Sequence, residues 1–429
     1  MSDGARRRGE GALARREKRL AYSLLLPTFA LVLGIILLPL LANFWISFKP
    51  VTLADLRPPQ LIVKEQLRGK LAAEGDTARI EYRFRNSSIK YPLGEVSFTD
   101  TLPDGIKITG LDDACWIDET AAKLTCELGD LDAKSRGRIR IEIEALTGDP
   151  PGKADFRASA PAATFSAYNV MTSFDFTLGN FQKIFSAAEF WDVLKVSVYY
   201  TVFGTAGALL FGLFAAQIMQ KAFFGRPVIR GLMLFPYVAP VIAVAFSWVV
   251  LFDPFSGAVN AMLQQMDVAS GPINFFGQRM IEVSFFGVAF NLPMALTMVI
   301  LFEVWRYFPL SFLFILARMQ SIPSDIYEAA EIDGATPMQQ FRFLSLPHIA
   351  GILAVLFLLR FIWTFNKFDD IFLLTGGNAG TRTLTVQVYE QAFALNNLGA
   401  GAAVAVLVFV LLALFALVYF RAMPEEEGL

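Results

Sequence analysis

From Leu20 to Phe48 the chain carries no charged side chain. That run constrains the fold more than any other feature. About 20 apolar residues in a helix cross a hydrocarbon core. Inside lipid the backbone N–H and C=O groups find no water, so a crossing segment of this kind must be helical. Arg6, Arg7, Arg8, Arg15, Arg16, Lys18 and Arg19 precede the run. A signal peptide has a shorter apolar core and a small-x-small cleavage site. Neither fits cleanly here, so a retained first transmembrane helix over 21–48 is the favoured reading. The basic flank 1–20 puts the N-terminus in the cytoplasm, because positive loops stay inside.

Five further apolar spans follow, at about 193–219, 229–252, 287–317, 349–374 and 400–420. Pro293 and Pro309 predict a kink or break in the third of these. Charged residues make up 18% of the chain and the mean hydropathy is +0.49. Soluble domains carry about 25% charge, so the deficit also points to a membrane protein. A net charge of −2 implies no polyanion or nucleic-acid partner.

Residues 50–165 differ in kind. Of the 39 acidic residues, 19 lie between Asp55 and Asp155. Ile80, Tyr82 and Phe84 alternate with Arg79, Glu81, Arg83 and Arg85, and Ile139, Ile141 and Ile143 alternate with Arg138, Arg140, Glu142 and Glu144. Period-two alternation predicts half-buried strands. Pro103-Asp104-Gly105 and Pro150-Pro151-Gly152 are turn signals. The expectation is an inserted all-β, sandwich-like domain. Both cysteines, Cys115 and Cys126, fall inside it. Their confinement to one polar segment suggests a disulfide in an oxidising compartment, with two free thiols as the competing reading. A bridge would close a small loop and stabilise it by roughly 3 kcal/mol. With one histidine, His348, and no CxxC, a metal site is not expected.

Lys221, Arg226 and Arg230 lie between the second and third spans. Arg318 and Arg342 lie around the 321–347 loop, and Arg421 follows the last span. With six spans and the N-terminus inside, these loops and the 422–429 tail fall in the cytoplasm. The β-domain then falls outside.

Within the 321–347 loop, residues 328–347 read Glu-Ala-Ala-Glu-Ile-Asp-Gly-Ala-Thr-Pro-Met-Gln-Gln-Phe-Arg-Phe-Leu-Ser-Leu-Pro. Ser324 or Asp325 is suited to cap a first short helix. Gly334 permits a tight turn, Asp333 can bond nearby backbone N–H groups, and a second short helix is expected to end at Pro347. The spacing Glu-Ala-Ala-x-x-Asp-Gly-Ala-x(5)-Phe-x(4)-Leu-Pro resembles the coupling loop of ABC importer permeases. Trp363 to Gly377, Tyr389-Glu390-Gln391-Ala392-Phe393, Leu234 to Pro240 and Trp305 to Pro309 resemble the carbohydrate-uptake type. There the likeness is to the subunit that carries the sugar pocket in maltose import. It covers roughly 20–50 and 185–425, with the core expected over 185–421. One departure is Asn378, where the family usually has proline after the glycine pair. Tyr82 to Ser87, Asp100 to Gly105 and Leu124 to Leu131 resemble a bacterial surface repeat domain of unknown function.

The resemblance implies an all-α polytopic fold of six transmembrane helices with the β insertion on the periplasmic side, in a bacterial inner membrane. It implies a permease, not an enzyme. The implied partners are a second permease subunit, a dimer of ATPase subunits, and a periplasmic or lipid-anchored solute-binding protein delivering a sugar-like substrate. ATP and Mg belong to the ATPases, and no cofactor is expected on this chain, which lacks GxxxxGK[ST]. The coupling residues implied are Glu328, Ala329, Ala330, Asp333, Gly334, Ala335, Phe341 and Pro347.

Charges inside spans are expensive and mark pathways. Glu303, Arg306, Tyr307 and Leu310 share one helix face at i, i+3, i+4 and i+7, and Arg360, Trp363 and Lys367 share another. Asp369 and Asp370 follow. These faces are candidates for the substrate pathway, matching sugar-contacting positions of the family by resemblance. The competing reading is internal ion pairing, such as Glu303 with Arg306, that only holds helices together. Two functional rivals remain: an ABC permease for an amino acid, polyol phosphate or other non-carbohydrate solute, and a membrane-anchored β-domain receptor or adhesin.

Overall fold

The computed structural model describes residues 12–118, 123–158, 160–220, 223–269, 271–285 and 288–423. Arg6, Arg7 and Arg8 of the basic flank, Lys221, and residues 424–429 of the tail lie outside the described residues. The chain divides into two compact units, Lys49–Thr177 and the remainder, Met1–Phe48 with Leu178–Leu429.

The first unit is all-β apart from short helical turns and Lys153–Ala158. Its strands are β1 Leu61–Arg68, β2 Thr77–Asn86, β3 Leu93–Thr101, β4 Ile106–Gly110, β5 Cys115–Asp118, β6 Lys123–Leu131, β7 Arg136–Ala145 and β8 Ala162–Ala167. They form two four-stranded sheets, ordered β1-β2-β7-β4 and β5-β6-β3-β8, with antiparallel pairing throughout. The two alternating segments are neighbours: Ile80 faces Ile141 and Tyr82 faces Ile139 across β2 and β7. All four side chains are buried with Phe98, Leu124 and Phe156 in one apolar cluster. Burying each of the large apolar side chains contributes about 1.5–3 kcal/mol.

A polar bond between side chains crosses this core. The Tyr82 hydroxyl donates to Asp100 Oδ2 at 2.6 Å, joining a strand of one sheet to a strand of the other. Burial, reinforced by the Asp100 charge, pushes the Tyr82 hydroxyl far above its ordinary pKa, so it stays protonated and donates. Cys115 and Cys126 are bonded and sit directly opposite each other on β5 and β6. The expected boundary at 165 falls inside β8, and the unit runs on to Thr177. The extension has a physical cause: β8 completes the second sheet by pairing with β3.

The second unit is helical. The elements that build its core and site are α1 Arg16–Ser47, α2 Phe190–Gln220, α3 Arg226–Val238, α4 Val241–Leu251, α5 Met294–Gln320, α6 Ser324–Ile332, α7 Pro337–Phe365, α8 Asp369–Thr375 and α9 Leu398–Ala422. Among the described residues, α1, α2, α5, α7 and α9 are each long and apolar enough to cross a membrane, while α3 and α4 form a pair bent by 92°. α5 packs along α2 and α7, α9 lies against α1, and α8 lies against α4. Small residues make the α2–α5 contact close. A Cβ at Gly207 would sit 2.4 Å from Val304, and one at Gly212 would sit 2.6 Å from Ser311. Small residues on facing helices let backbones approach in this way.

Several expected spans are shorter than the apolar runs. The 287–317 span starts only at Met294, because 288–292 form β10 (Val288–Leu292), paired with β9 (Ile281–Phe285). Pro293 accounts for this, since the residue before a proline is driven to extended geometry. α5 then continues through Pro309 as one helix. The 349–374 span ends at Phe365, and a separate helix starts at Asp369. The 229–252 span turns at Ala239-Pro240.

Two outcomes check the β unit. Tyr82→Phe leaves a buried carboxylate without its donor and should lower stability by roughly 1–3 kcal/mol, read as a lower thermal midpoint of the unit. An unchanged midpoint would show that the cross-sheet bond contributes nothing. Maleimide should label no thiol in the unreduced chain and two after reduction.

Candidate functional site

The ionisable residues of the helical unit meet in its interior. Glu303 on α5 is fully buried. Its Oε1 accepts from Arg360 Nη2 of α7 at 2.5 Å and from Thr364 Oγ1 at 2.9 Å. Its Oε2 accepts from the Tyr200 hydroxyl of α2 at 3.0 Å. One carboxylate therefore ties three helices together. Gly204 makes room for it, since a Cβ there would lie 3.0 Å from Glu303 Cγ.

A second pair lies beside it. Arg306 Nη1 reaches Asp370 Oδ1 of α8 at 3.5 Å, and Lys367 Nζ lies 3.8 Å from Asp370 and 3.7 Å from Asp369. Tyr307 joins the two pairs. Its ring lies 4.3 Å from Arg360 and 4.5 Å from Lys367, its hydroxyl accepts from Lys367 Nζ, and Tyr237 meets it edge-on at 6.0 Å. Cations over an aromatic face gain from the ring quadrupole. Glu303, Asp369 and Asp370 balance Arg306, Arg360 and Lys367, so the cluster is formally neutral. That balance is what allows ions in a low-dielectric interior.

The expected pairing of Glu303 with Arg306 is not the one formed. Those residues are one helical turn apart on α5, and each pairs with a different neighbouring element instead. The second expected face is also divided. Trp363 is 47% exposed, while Thr364, one residue on, is buried against Glu303 and Arg360. Lys367 lies beyond the end of α7 and reaches Tyr307 from the loop. Leu310 is half-buried on α5, and the side chain of Asp369 is 47% exposed while Asp370 is fully buried. Asp370, named beside these faces, takes Arg306, and Thr364 and Tyr200, which sequence reasoning missed, complete the network. Thr364 lies four residues after Arg360, so helical spacing could have found it. Tyr200 carries no local signal, because its role exists only through the packing of α2 on α5.

The 324–347 segment forms a separate feature. α6 starts at Ser324 with Pro323 in the cap position and no side-chain cap, so neither Ser324 nor Asp325 fills that role. Gly334 turns the chain at φ +79°, with open space around its Cα. Thr336 starts the next helix through reciprocal bonds with Gln339. The helix does not end at Pro347. A wide turn, in which Leu346 N–H donates to Phe341 O, leads straight into the long helix. Widening the ladder just before a proline accommodates its missing N–H. Glu328, Ala329, Asp333, Gly334 and Pro347 are exposed, and Ala330, Ala335 and Phe341 are half-buried. Ile332 is 87% exposed and Met338 72% exposed, one on each side of the turn. Tyr327 bonds Ser345 at 2.8 Å, closing α6 back onto α7. Among the described residues no cluster of three or more His, Cys, Asp or Glu side chains is arranged to hold a metal.

The family model for the binding-protein-dependent transport system inner membrane component matches residues 208–423. The inner membrane ABC transporter permease protein YcjO of Escherichia coli is 36% identical, over 55% of this chain and 75% of its own. The trehalose/maltose transport system permease protein MalF of Thermococcus litoralis is 32% identical, over 57% of this chain and 78% of its own. Similar in fold, at a TM-score of 0.51 and 19% identity, is a chain of a bacterial ABC transporter involved in the import of the acidic polysaccharide alginate. That match covers 59% of this chain and 86% of the other.

Glu303→Gln should leave the Arg360 charge buried without its counterion and destabilise the helical unit by roughly 3–5 kcal/mol. The double change Glu303→Leu with Arg360→Met should recover most of that loss. Thermal unfolding in detergent reads both. Equal midpoints for wild type and single variant would remove the structural role given to the pair.

Proposed function

Because the chain belongs to the family of binding-protein-dependent transport system inner membrane components, we propose that the solute it passes is a sugar or sugar derivative. It is the permease component of an ATP-binding-cassette importer, and ATP hydrolysis falls to separate subunits. Relatives named for trehalose and maltose transport support the sugar reading.

In this reading the assembly comprises a second permease subunit, two ATPase copies that hold ATP and Mg, and a periplasmic or lipid-anchored solute-binding protein. The chain itself binds no cofactor. It lies in the bacterial inner membrane with six spans, the α3–α4 pair counting as one. Both termini face the cytoplasm. The β unit faces outward, where its disulfide persists.

The observation that carries the mechanism is the exposed knob at 324–347. It offers a smooth Ala329 face and an apolar tip, Ile332 and Met338, to a socket on an ATPase subunit. Closure of the ATPases would push this knob and, through α7, the helix that bears Arg360 and Thr364. The pathway runs past Glu303, Arg306, Tyr307, Leu310, Arg360, Trp363, Lys367 and Asp369. In the conformation described, Glu303 and Arg360 satisfy one another, which suits a closed state. Arg306 Nε and Arg360 Nε are buried without a hydrogen-bond partner. Helix movement would offer them to sugar hydroxyls or to an acidic substituent. The same cations keep a charged non-carbohydrate solute as a second reading, which ligand screening on the binding protein separates.

Gly334→Val forces a branched side chain into left-handed backbone geometry, at a cost of about 1–3 kcal/mol. Transport should fall at least tenfold and uncouple from ATP turnover, with membrane insertion unchanged. Full transport in this variant would refute the docking role. Protease added to intact spheroplasts should cut within 49–177 and leave the 324–347 segment whole; the reverse pattern would invert the topology.

A further inference from the structure

The outward side of the β1–β2–β7 sheet carries an arrangement that folding alone does not favour. Lys64 lies directly opposite Arg83, and Arg83 directly opposite Arg138. In the next row Arg85 lies directly opposite Arg136. Like charges in directly opposed positions are destabilising. All five side chains are exposed. Arg83 bonds Glu81, which also takes Arg68 and Arg140. Among the described residues, Lys64, Arg85, Arg136 and Arg138 have no acidic partner.

The patch is concave. Lys64, Arg83, Arg85, Arg136 and Arg138 line a depression of about 520 Å³. Through Ile62 and Arg85 it continues into a cleft of about 650 Å³ at the end of the sheet. The cleft has a different chemistry. Tyr91 and Tyr168 stand in its wall with ring centroids 5.1 Å apart. Arg57, Lys90, Ser88 and Asn169 add donors and acceptors. Asp55 in its lining is turned to the Thr52 backbone N–H and hydroxyl, both at 2.8 Å, and Asp175 Oδ2 is held by the Tyr168 hydroxyl at 2.7 Å.

We propose that this patch and cleft bind an acidic oligosaccharide of the uronate type. Adjacent strands lie about 4.8 Å apart, the scale of one sugar ring, so the rows Lys64–Arg83–Arg138 and Arg85–Arg136 offer successive carboxylates of an extended glycan a cation on each strand. Arginine suits that contact because its planar fork holds a carboxylate by two bonds. The tyrosine wall supplies apolar faces on which a sugar ring stacks, and the hydroxyl and amide groups take ring hydroxyls. A flat anionic lipid surface would use neither the concavity nor the tyrosines. This site deepens the sugar reading, on which it rests for its substrate class, by assigning that class a negative charge.

The test uses the full chain in detergent or nanodiscs with a galacturonate trisaccharide, and maltotriose as the neutral control. The uronate should bind, the neutral sugar at least tenfold more weakly, and binding should weaken as salt rises. Arg136→Ser with Arg138→Ser should reduce uronate binding at least tenfold, and Tyr168→Ala should reduce it severalfold, with the unit's thermal transition retained. The proposal is overturned by absent uronate binding, by equal binding in the Arg136/Arg138 variant, or by equal affinity for maltotriose. It is equally overturned if only phosphatidylglycerol vesicles or an acidic binding protein engage the patch. Coupled transport lost in Gly334→Val alongside absent uronate binding would remove this site alone and leave the permease reading standing.

Discussion

The helical unit depends on how one buried carboxylate is satisfied. Glu303 has no solvent, so each oxygen must find a donor inside the protein. It finds them on two other helices, through Tyr200 of α2 and Arg360 and Thr364 of α7. That demand fixes more than the pair itself. α2 must come close, which Gly204, Gly207 and Gly212 permit. α7 must present Arg360 and Thr364 on one face. The neighbouring Arg306 must then look elsewhere, and α8 delivers Asp370 to it. Tyr307 lies between both pairs, so the two bonds are not independent.

The sequence revealed the parts better than their partnerships. Alternation located the β strands because a half-buried sheet writes its pattern at period two, and Ile80, Tyr82 and Ile139 to Ile143 lie inside as that pattern requires. Apolar runs located the helices because lipid tolerates little else. The charged faces on α5 were also legible. What could not be read was which cation meets which anion. Glu303 and Arg306 look like partners along one helix, yet tertiary packing gives each a better counterion. The helix ends failed for a related reason. The 287–317 run carried across Pro293, and the 349–374 run carried across Asn366 to Asp370, where polar residues mark the break after Phe365. At Pro347 the opposite happened. A residue that usually ends helices is absorbed by one wide turn.

The two units solve the same problem of buried polarity differently. In the β unit the hydroxyl–carboxylate bond of Tyr82 to Asp100 joins the two sheets across a largely apolar core. In the helical unit the polar groups gather into a connected network of both signs. A connected network has more than one way to pair its members, which suits helices that must exchange partners as they move.

The uninterrupted course of α7 has a mechanical consequence. Its 29 residues, Pro337 to Phe365, make a rod about 44 Å long at 1.5 Å per residue. One end begins beside the Gly334 turn and the other carries Arg360 and Thr364. A break at Pro347 would have made a hinge and let one end swing without the other. Without it, the rod has the form of a crankshaft: a twist applied at the exposed end would reach the buried carboxylate as a twist, with little slack between them.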